Sequence, residues 1–346
     1  MRSFLVPLSG LTCLCALAVA GCSSDSGTPS DAAAGAAEPV SSPSPSVSPT
    51  PTPATTGYAP YVSATEASAN DAAGSPATYN LAFVISDGSA CTAKWNGTTA
   101  VTDTAVKSRI AKLTASGASV RVSFGGASGK ELATVCSSAS ELAAAYGAAL
   151  DAAGSTQADF DIEGTTLTDS ASVALRSRAV ARLQKERPEL EVSFTLPVMP
   201  SGLDADGLAL LASANKYDVQ VATVNIMTMN YGETWTGDMG DYAVTSATAA
   251  HTQLKSVFGT TDESAWRGLA LTSMIGVNDI ANETFTLADA AQLRSFAEEK
   301  GIAWVSMWST FRDQQCASGA SDQDDAATNC SGVEQSSGEF GKALAG

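Results

Sequence analysis

The segment Ala158-Asp159-Phe160-Asp161-Ile162-Glu163-Gly164 places three carboxylates at alternate positions. Successive side chains of a β-strand point to opposite faces, so a strand here would turn Asp159, Asp161 and Glu163 to one side and Phe160 and Ile162 to the other. Like charges packed that closely repel and desolvate poorly, which pushes at least one pKa upward and leaves a carboxyl able to hold a proton near neutral pH. A group in that state suits general acid catalysis. Stretches with helical spacing lie on both sides, at 138–154 and 169–187, and Gly164 closes the run. A strand covered by helices carries few charges for structural reasons, so acids on its inner face point to chemistry. His251 is the one histidine among 346 residues. His-ligated metal sites and Ser-His-Asp machinery have almost no material to be built from, so any hydrolysis is expected to run on carboxylates without a metal or cofactor.

The elements that must position these acids follow from the hydrophobic pattern. Apolar, β-rich runs recur at 58–64, 79–86, 119–125, 157–163, 190–196, 219–229, 268–274 and 302–308, which makes eight. Further helical stretches fall between them at 102–115, 205–216, 242–258 and 287–300, the last with Thr286 as N-cap and Gly301 as the glycine after its end. Eight strands alternating with helices predict an α/β fold, a closed (β/α)8 TIM barrel forming a single catalytic domain over 58–346. The first connection, 65–78, is the weakest link, being small and polar rather than amphipathic. A doubly wound open sheet is the competing architecture, but no G-x-G-x-x-G or phosphate-cradling loop follows an early strand.

The remaining residues set the context. Met1-Arg2 is followed by an apolar stretch from Phe4 to Ala20 and by Val19-Ala20-Gly21-Cys22, so 1–21 reads as a secretion signal. The placing of Cys22 resembles a bacterial lipobox, which implies cleavage before Cys22 and lipidation of its thiol. Residues 22–57 are rich in Ser, Thr, Ala and Pro and cannot bury a core, so they are expected to tether the domain to an anchored lipid. An extracellular, cell-surface location is the expectation. The formal charge is −17, from 36 acidic against 19 basic residues with no basic cluster, which argues against nucleic acid as a partner. Cys91, Cys136, Cys316 and Cys330 remain after the signal and Cys22 are set aside, enough for two disulfides. Cys91–Cys136 with Cys316–Cys330 is favoured because the second pair closes a short Ser/Asp/Ala-rich loop; other pairings stay open.

Four strand ends carry a common signature. Ser123-Phe124-Gly125-Gly126 ends the third, the acids lie on the fourth, the sixth reads Met227-Thr228-Met229-Asn230-Tyr231-Gly232, and the eighth reads Trp304-Val305-Ser306-Met307-Trp308. Together these resemble glycoside hydrolase family 18, the chitinases and their relatives, whose motifs in that order are S-x-G-G, D-x-x-D-x-D-x-E, M-x-Y and a closing tryptophan. Segments 193–197, 274–279 and 308–313 look like one bacterial chitinase branch. The resemblance implies Glu163 as general acid, Asp161 as the group that orients the substrate's acetamido N–H, and Asp159 as the charge behind it. It implies Tyr231 as a phenolic donor to the acetamido oxygen and Met229 and Asn230 as pocket lining. Trp308 would form the floor under the scissile sugar. Ser123, Gly125 and Gly126 are placed with the substrate-binding residues, chiefly by letting neighbouring backbone approach the acids. A second register would match Met227 to Asn230 to the sixth-strand motif and remove its tyrosine. Trp95 and Trp235 are candidate sugar platforms, and Arg312 and Asp313 are read as a surface ion pair or cleft rim. Thr156 stands where the family's first motif aspartate would be, and Asn230 where this branch more often has aspartate.

The expected function is retaining, substrate-assisted hydrolysis of β-1,4-N-acetylglucosaminide bonds in chitin or its oligosaccharides, by a monomer. The alternatives are an endo-β-N-acetylglucosaminidase acting on N-glycans and a non-catalytic sugar-binding surface lipoprotein.

Overall fold

The computed structural model describes residues 55–280, 282–317 and 329–346. The expected signal, Cys22 and residues 23–54 of the tether lie outside the described residues. Eight parallel barrel strands follow the predicted runs: β1 (Gly57–Tyr58, continued as Tyr61–Ser63), β2 (Thr78–Ile85), β3 (Ser119–Gly125), β4 (Gln157–Asp161), β5 (Glu191–Pro197), β6 (Val221–Met227), β7 (Leu269–Met274) and β8 (Trp304–Trp308). The ring closes through β1, because consecutive parts of one short segment pair with opposite edges. Gly57 and Tyr58 pair with Trp304 and Val305 of β8, and Tyr61 to Ser63 pair with Asn80 to Ala82 of β2. The fold is the (β/α)8 barrel expected.

Helices cover the outside: α1 (Thr104–Thr114), α2 (Ala139–Ala153), α3 (Gly164–Thr168), α4 (Ser170–Glu186), α5 (Ala205–Lys216), α6 (Met239–Phe258), α7 (Asp262–Arg267), α8 (Leu287–Lys300) and α9 (Glu339–Ala345). Local sequence sets their ends. Asp103, Ser138 and Asp204 cap N-termini, and Thr286 with Asp289 forms a capping box at the start of α8. No helix follows β1. Its connection is a loop pinned by Asp71, which accepts from Arg109 on α1 and from the Thr310 hydroxyl beyond β8. Those bonds do the anchoring that a packed helix face does elsewhere.

The apolar core lies between sheet and helices. Phe124, Phe160 and Phe194 occupy one register row across β3, β4 and β5, all pointing outward, and Tyr146 of α2 packs edge-on against the first two. Because strand side chains alternate, the residues one step away point into the lumen. In β4 those are Asp159 and Asp161, so burying Phe160 commits the acids to the interior. Both expected disulfides are present, Cys91–Cys136 joining the loops after β2 and β3 and Cys316–Cys330 beyond β8.

Candidate active site

Asp159 is buried and collects four hydroxyl donors. Ser123 (2.7 Å) and Tyr61 (3.0 Å) donate to Oδ2, and Ser193 (2.8 Å) and Thr195 (2.8 Å) donate to Oδ1. Ser123 and Ser193 are its register neighbours on β3 and β5, so correct strand pairing itself delivers two of them. Four donors match the four lone-pair sites of a carboxylate. A relay supports one of them from the side: Thr272 donates to Asn225 Oδ1 (2.9 Å), and Asn225 Nδ2 donates to Thr195 Oγ1 (2.9 Å). Thr156 is exposed at the far end of β4, and hydroxyls, not a further acid, surround Asp159.

Asp161, the last residue of β4, is buried where the lumen opens into a cleft of about 690 Å³ at the C-terminal end of the barrel. That volume falls in the range of small-ligand sites. Its carboxyl is held well above the ordinary range, first by burial, then by the charges of Glu163 and Asp159 and by a hydrogen bond with Glu163. Its Oδ1 is buried without a partner. Glu163 lies just past the strand, at the extended position that starts α3, and lines the cleft beside Asp161. Burial raises its pKa, the bond to Asp161 opposes the rise, and the charge of Asp279 adds to it. The acidic ladder thus splits into Asp159, whose oxygens are filled by four hydroxyl donors, and two carboxyls with raised proton affinity.

Glycines let the walls close on these acids. Gly125 has a φ of +101°, and a Cβ there would come 2.1 Å from the Asp161 carbonyl oxygen. Its absence lets Gly126 N–H donate to that oxygen at 2.9 Å, fixing the end of β4. A Cβ on Gly126 would strike the Phe83 ring, which stacks on Trp308 with centroids 5.5 Å apart. Trp308 ends β8 and lines the cleft, with Tyr61 edge-on to it at 5.8 Å. Met227, Met229 and Asn230 line it from the end of β6.

Several sequence expectations are corrected. Tyr231 does not face the cleft: its ring packs against Trp235 and Tyr242, and its phenol accepts from Ser246 of α6 at 3.3 Å. The cause is Asn230, whose φ of +55° turns the chain outward after Met229, so the register running from Met227 to Asn230 fits the structure. Ser123, Gly125 and Gly126 do not line the cleft and act from behind it. Trp95 is fully buried, and Trp235 packs on Tyr231 and does not line the cleft. Arg312 and Asp313 are buried rather than superficial and are not paired. Arg312 donates to the Ile275 and Val277 carbonyls, while Asp313 accepts from Phe340 and Gly341 N–H and from Gln335. Tyr61, Phe83, Thr195 and Asp279 were missed. The signal for Tyr61 and Thr195 was their place in lumen-facing rows; Asp279 lay in the 274–279 segment that carries the family resemblance without being singled out, and nothing local in the sequence marked Phe83.

No family model matches the chain. It is 34% identical over 275 residues to a protein named probable bifunctional chitinase/lysozyme from Escherichia coli (strain K12), covering 74% of this chain and 31% of that protein. It is 33% identical over 279 residues to endochitinase 11 of Metarhizium anisopliae, covering 75% of this chain and 53% of that one. The chain therefore spans between a third and about half of the curated relatives it matches. Among solved structures, the catalytic domain of the hyperthermophilic chitinase of Pyrococcus furiosus superposes with a TM-score of 0.73 at 29% identity, covering 85% of this chain and 95% of that one. A GH18 chitinase from Pseudoalteromonas aurantia shares the fold at 14% identity and a TM-score of 0.53. The strand-end motifs, the barrel and these relatives agree: the chain is a chitinase-like protein of glycoside hydrolase family 18.

Proposed function

We propose that the protein hydrolyses β-1,4 links between N-acetylglucosamine units of chitin or its oligosaccharides, with retention of configuration and with the substrate's own acetamido oxygen as nucleophile. The observation that carries this reading is the Asp161–Glu163 pair: a buried carboxyl beside a half-buried one, both with raised proton affinity, in a cleft floored by Trp308. Glu163 protonates the glycosidic oxygen as the bond breaks. Asp161 then accepts the acetamido N–H, which aims the acetamido oxygen at the anomeric carbon and stabilises the positive charge of the ring it forms. Water opens that ring with Glu163 as base, an exception to the two-carboxylate rule. Trp308 supplies a flat apolar surface for the sugar at little cost in rotamer freedom. Tyr61, not Tyr231, is the cleft's buried phenol. Burial and the charges of Asp159 and Asp161 keep it protonated, so it remains a donor.

Because Glu163 acts as an acid, kcat/KM falls as pH rises through its pKa. That alkaline limb is expected above the ordinary glutamate range. The cell-surface anchor at Cys22, the tether and a monomeric state belong to the same proposal and rest on sequence. The test is Glu163→Gln on chitotetraose. Turnover should drop by roughly 10²- to 10⁴-fold, the usual share of a positioned acid, while oligosaccharide binding persists. Equal turnover by the variant removes Glu163 from its role, and an inactive parent with intact binding indicates a sugar-binding protein instead.

A further inference from the structure

Four carboxylates line the cleft, Asp161, Glu163, Asp204 and Asp279, and among the described residues no lysine or arginine does. Asp161 is part of the acid pair, and Asp204 caps α5 by accepting from Gly207 N–H. Asp279, on the loop after β7, is exposed yet held from two sides by one residue. Asn230 Nδ2 donates to its Oδ2 at 3.0 Å, and its own backbone N–H donates to Asn230 Oδ1 at 3.1 Å. This two-point clamp needs an amide on one side, since an aspartate at 230 could not donate and would repel Asp279. The amide also tolerates the left-handed backbone at this position. Glu283 fixes the clamp from behind by accepting from Gly232 N–H at 2.8 Å.

We propose that Asp279, clamped by Asn230, is a positioning residue of the reaction that acts through Glu163, holding a negative charge in the cleft that favours the proton on that acid. The inference rests on the reading of Glu163 as the general acid. The other titratable groups that share the cleft lining with Glu163 are Asp161, Asp204 and the Tyr61 phenol. Arg312, which feels the Asp279 charge, is buried and committed to backbone carbonyls.

The experiment labels glutamate carboxyls with ¹³C, assigns Glu163 by its loss in Glu163→Gln, and titrates it in the parent, Asp279→Asn and Asn230→Ala. The Glu163 midpoint should move to lower pH in Asp279→Asn, and by less in Asn230→Ala, where the charge remains but is no longer held. The difference should shrink in 1 M salt, because an exposed charge is screened. On chitotetraose, Asp279→Asn should lose kcat/KM by roughly two- to fivefold on the alkaline side only, the size of one screened charge. An unmoved midpoint in Asp279→Asn overturns the inference; if that variant does not fold, an unmoved midpoint in Asn230→Ala does so. The titration needs no turnover, so an inactive parent would sink the hydrolase reading while still deciding this one.

Discussion

Asp159 and Asp161 stand two residues apart on one strand and meet opposite surroundings. Asp159 is met by four hydroxyls, which fill its lone-pair sites and offset the cost of burying it. Asp161 has an oxygen with no partner and an acid for a neighbour, so it favours the proton. The sequence showed that three acids would share a face; it could not show which would be compensated, because the donors come from three other strands. The same limit explains the tyrosines. Tyr231 follows the sixth strand and matched a motif, but a left-handed residue before it points the phenol at α6. Tyr231→Phe should therefore keep kcat/KM within about twofold of the parent, since only one long bond to Ser246 is lost. Tyr61→Phe removes a donor from a buried carboxylate and should cost about 1–3 kcal/mol of stability with a clear loss of activity. Urea unfolding and chitotetraose kinetics on the two variants check the pair, and the reverse ranking would restore Tyr231 to the cleft.

At the scale of elements, periodicity located every barrel strand and the main helices, because each buries one face against a neighbour and must show it in its spacing. The bounds of α5 and α8 were read without error, as their caps are spelled out in sequence. The helix missing after β1 was legible as a polar stretch, but its replacement by the Asp71 anchor was not, since Arg109 and Thr310 are remote in sequence. Arg312 and Asp313 were misread for a similar reason: charged residues are assigned to the surface by default, and their partners are mostly backbone groups that composition does not display. The glycines of β3 were understood as steric. Gly125→Ala places a Cβ against the Asp161 carbonyl at a left-handed φ. It should destabilise the domain by at least ~2 kcal/mol and reduce activity more than stability alone explains, because the end of β4 must shift. A thermal melt with kinetics measured below the melting range checks it; an unperturbed variant would show that β3 and β4 are not locked there.

For the whole molecule, closure through the short first segment puts the ends of β4, β6, β7 and β8 around one cleft, and that cleft is built at some expense in stability. Asp161 binds its proton more tightly when folded than when unfolded. Its contribution is fully present below the ordinary carboxylate range and is lost as pH rises through the raised folded value. Asp161→Asn cannot ionise, so it should be more stable than the parent at pH 7 and lose that advantage toward pH 3. Denaturant unfolding at both pH values tests this, and an equal difference at the two would contradict it. The central claim is the chemistry itself: one acid, no enzyme nucleophile, and the substrate's acetamido group attacking from within. The most direct measurement is the anomer released in the first moments of chitotetraose cleavage, followed by ¹H NMR before mutarotation. The account predicts the β-anomer, and initial release of the α-anomer would contradict it.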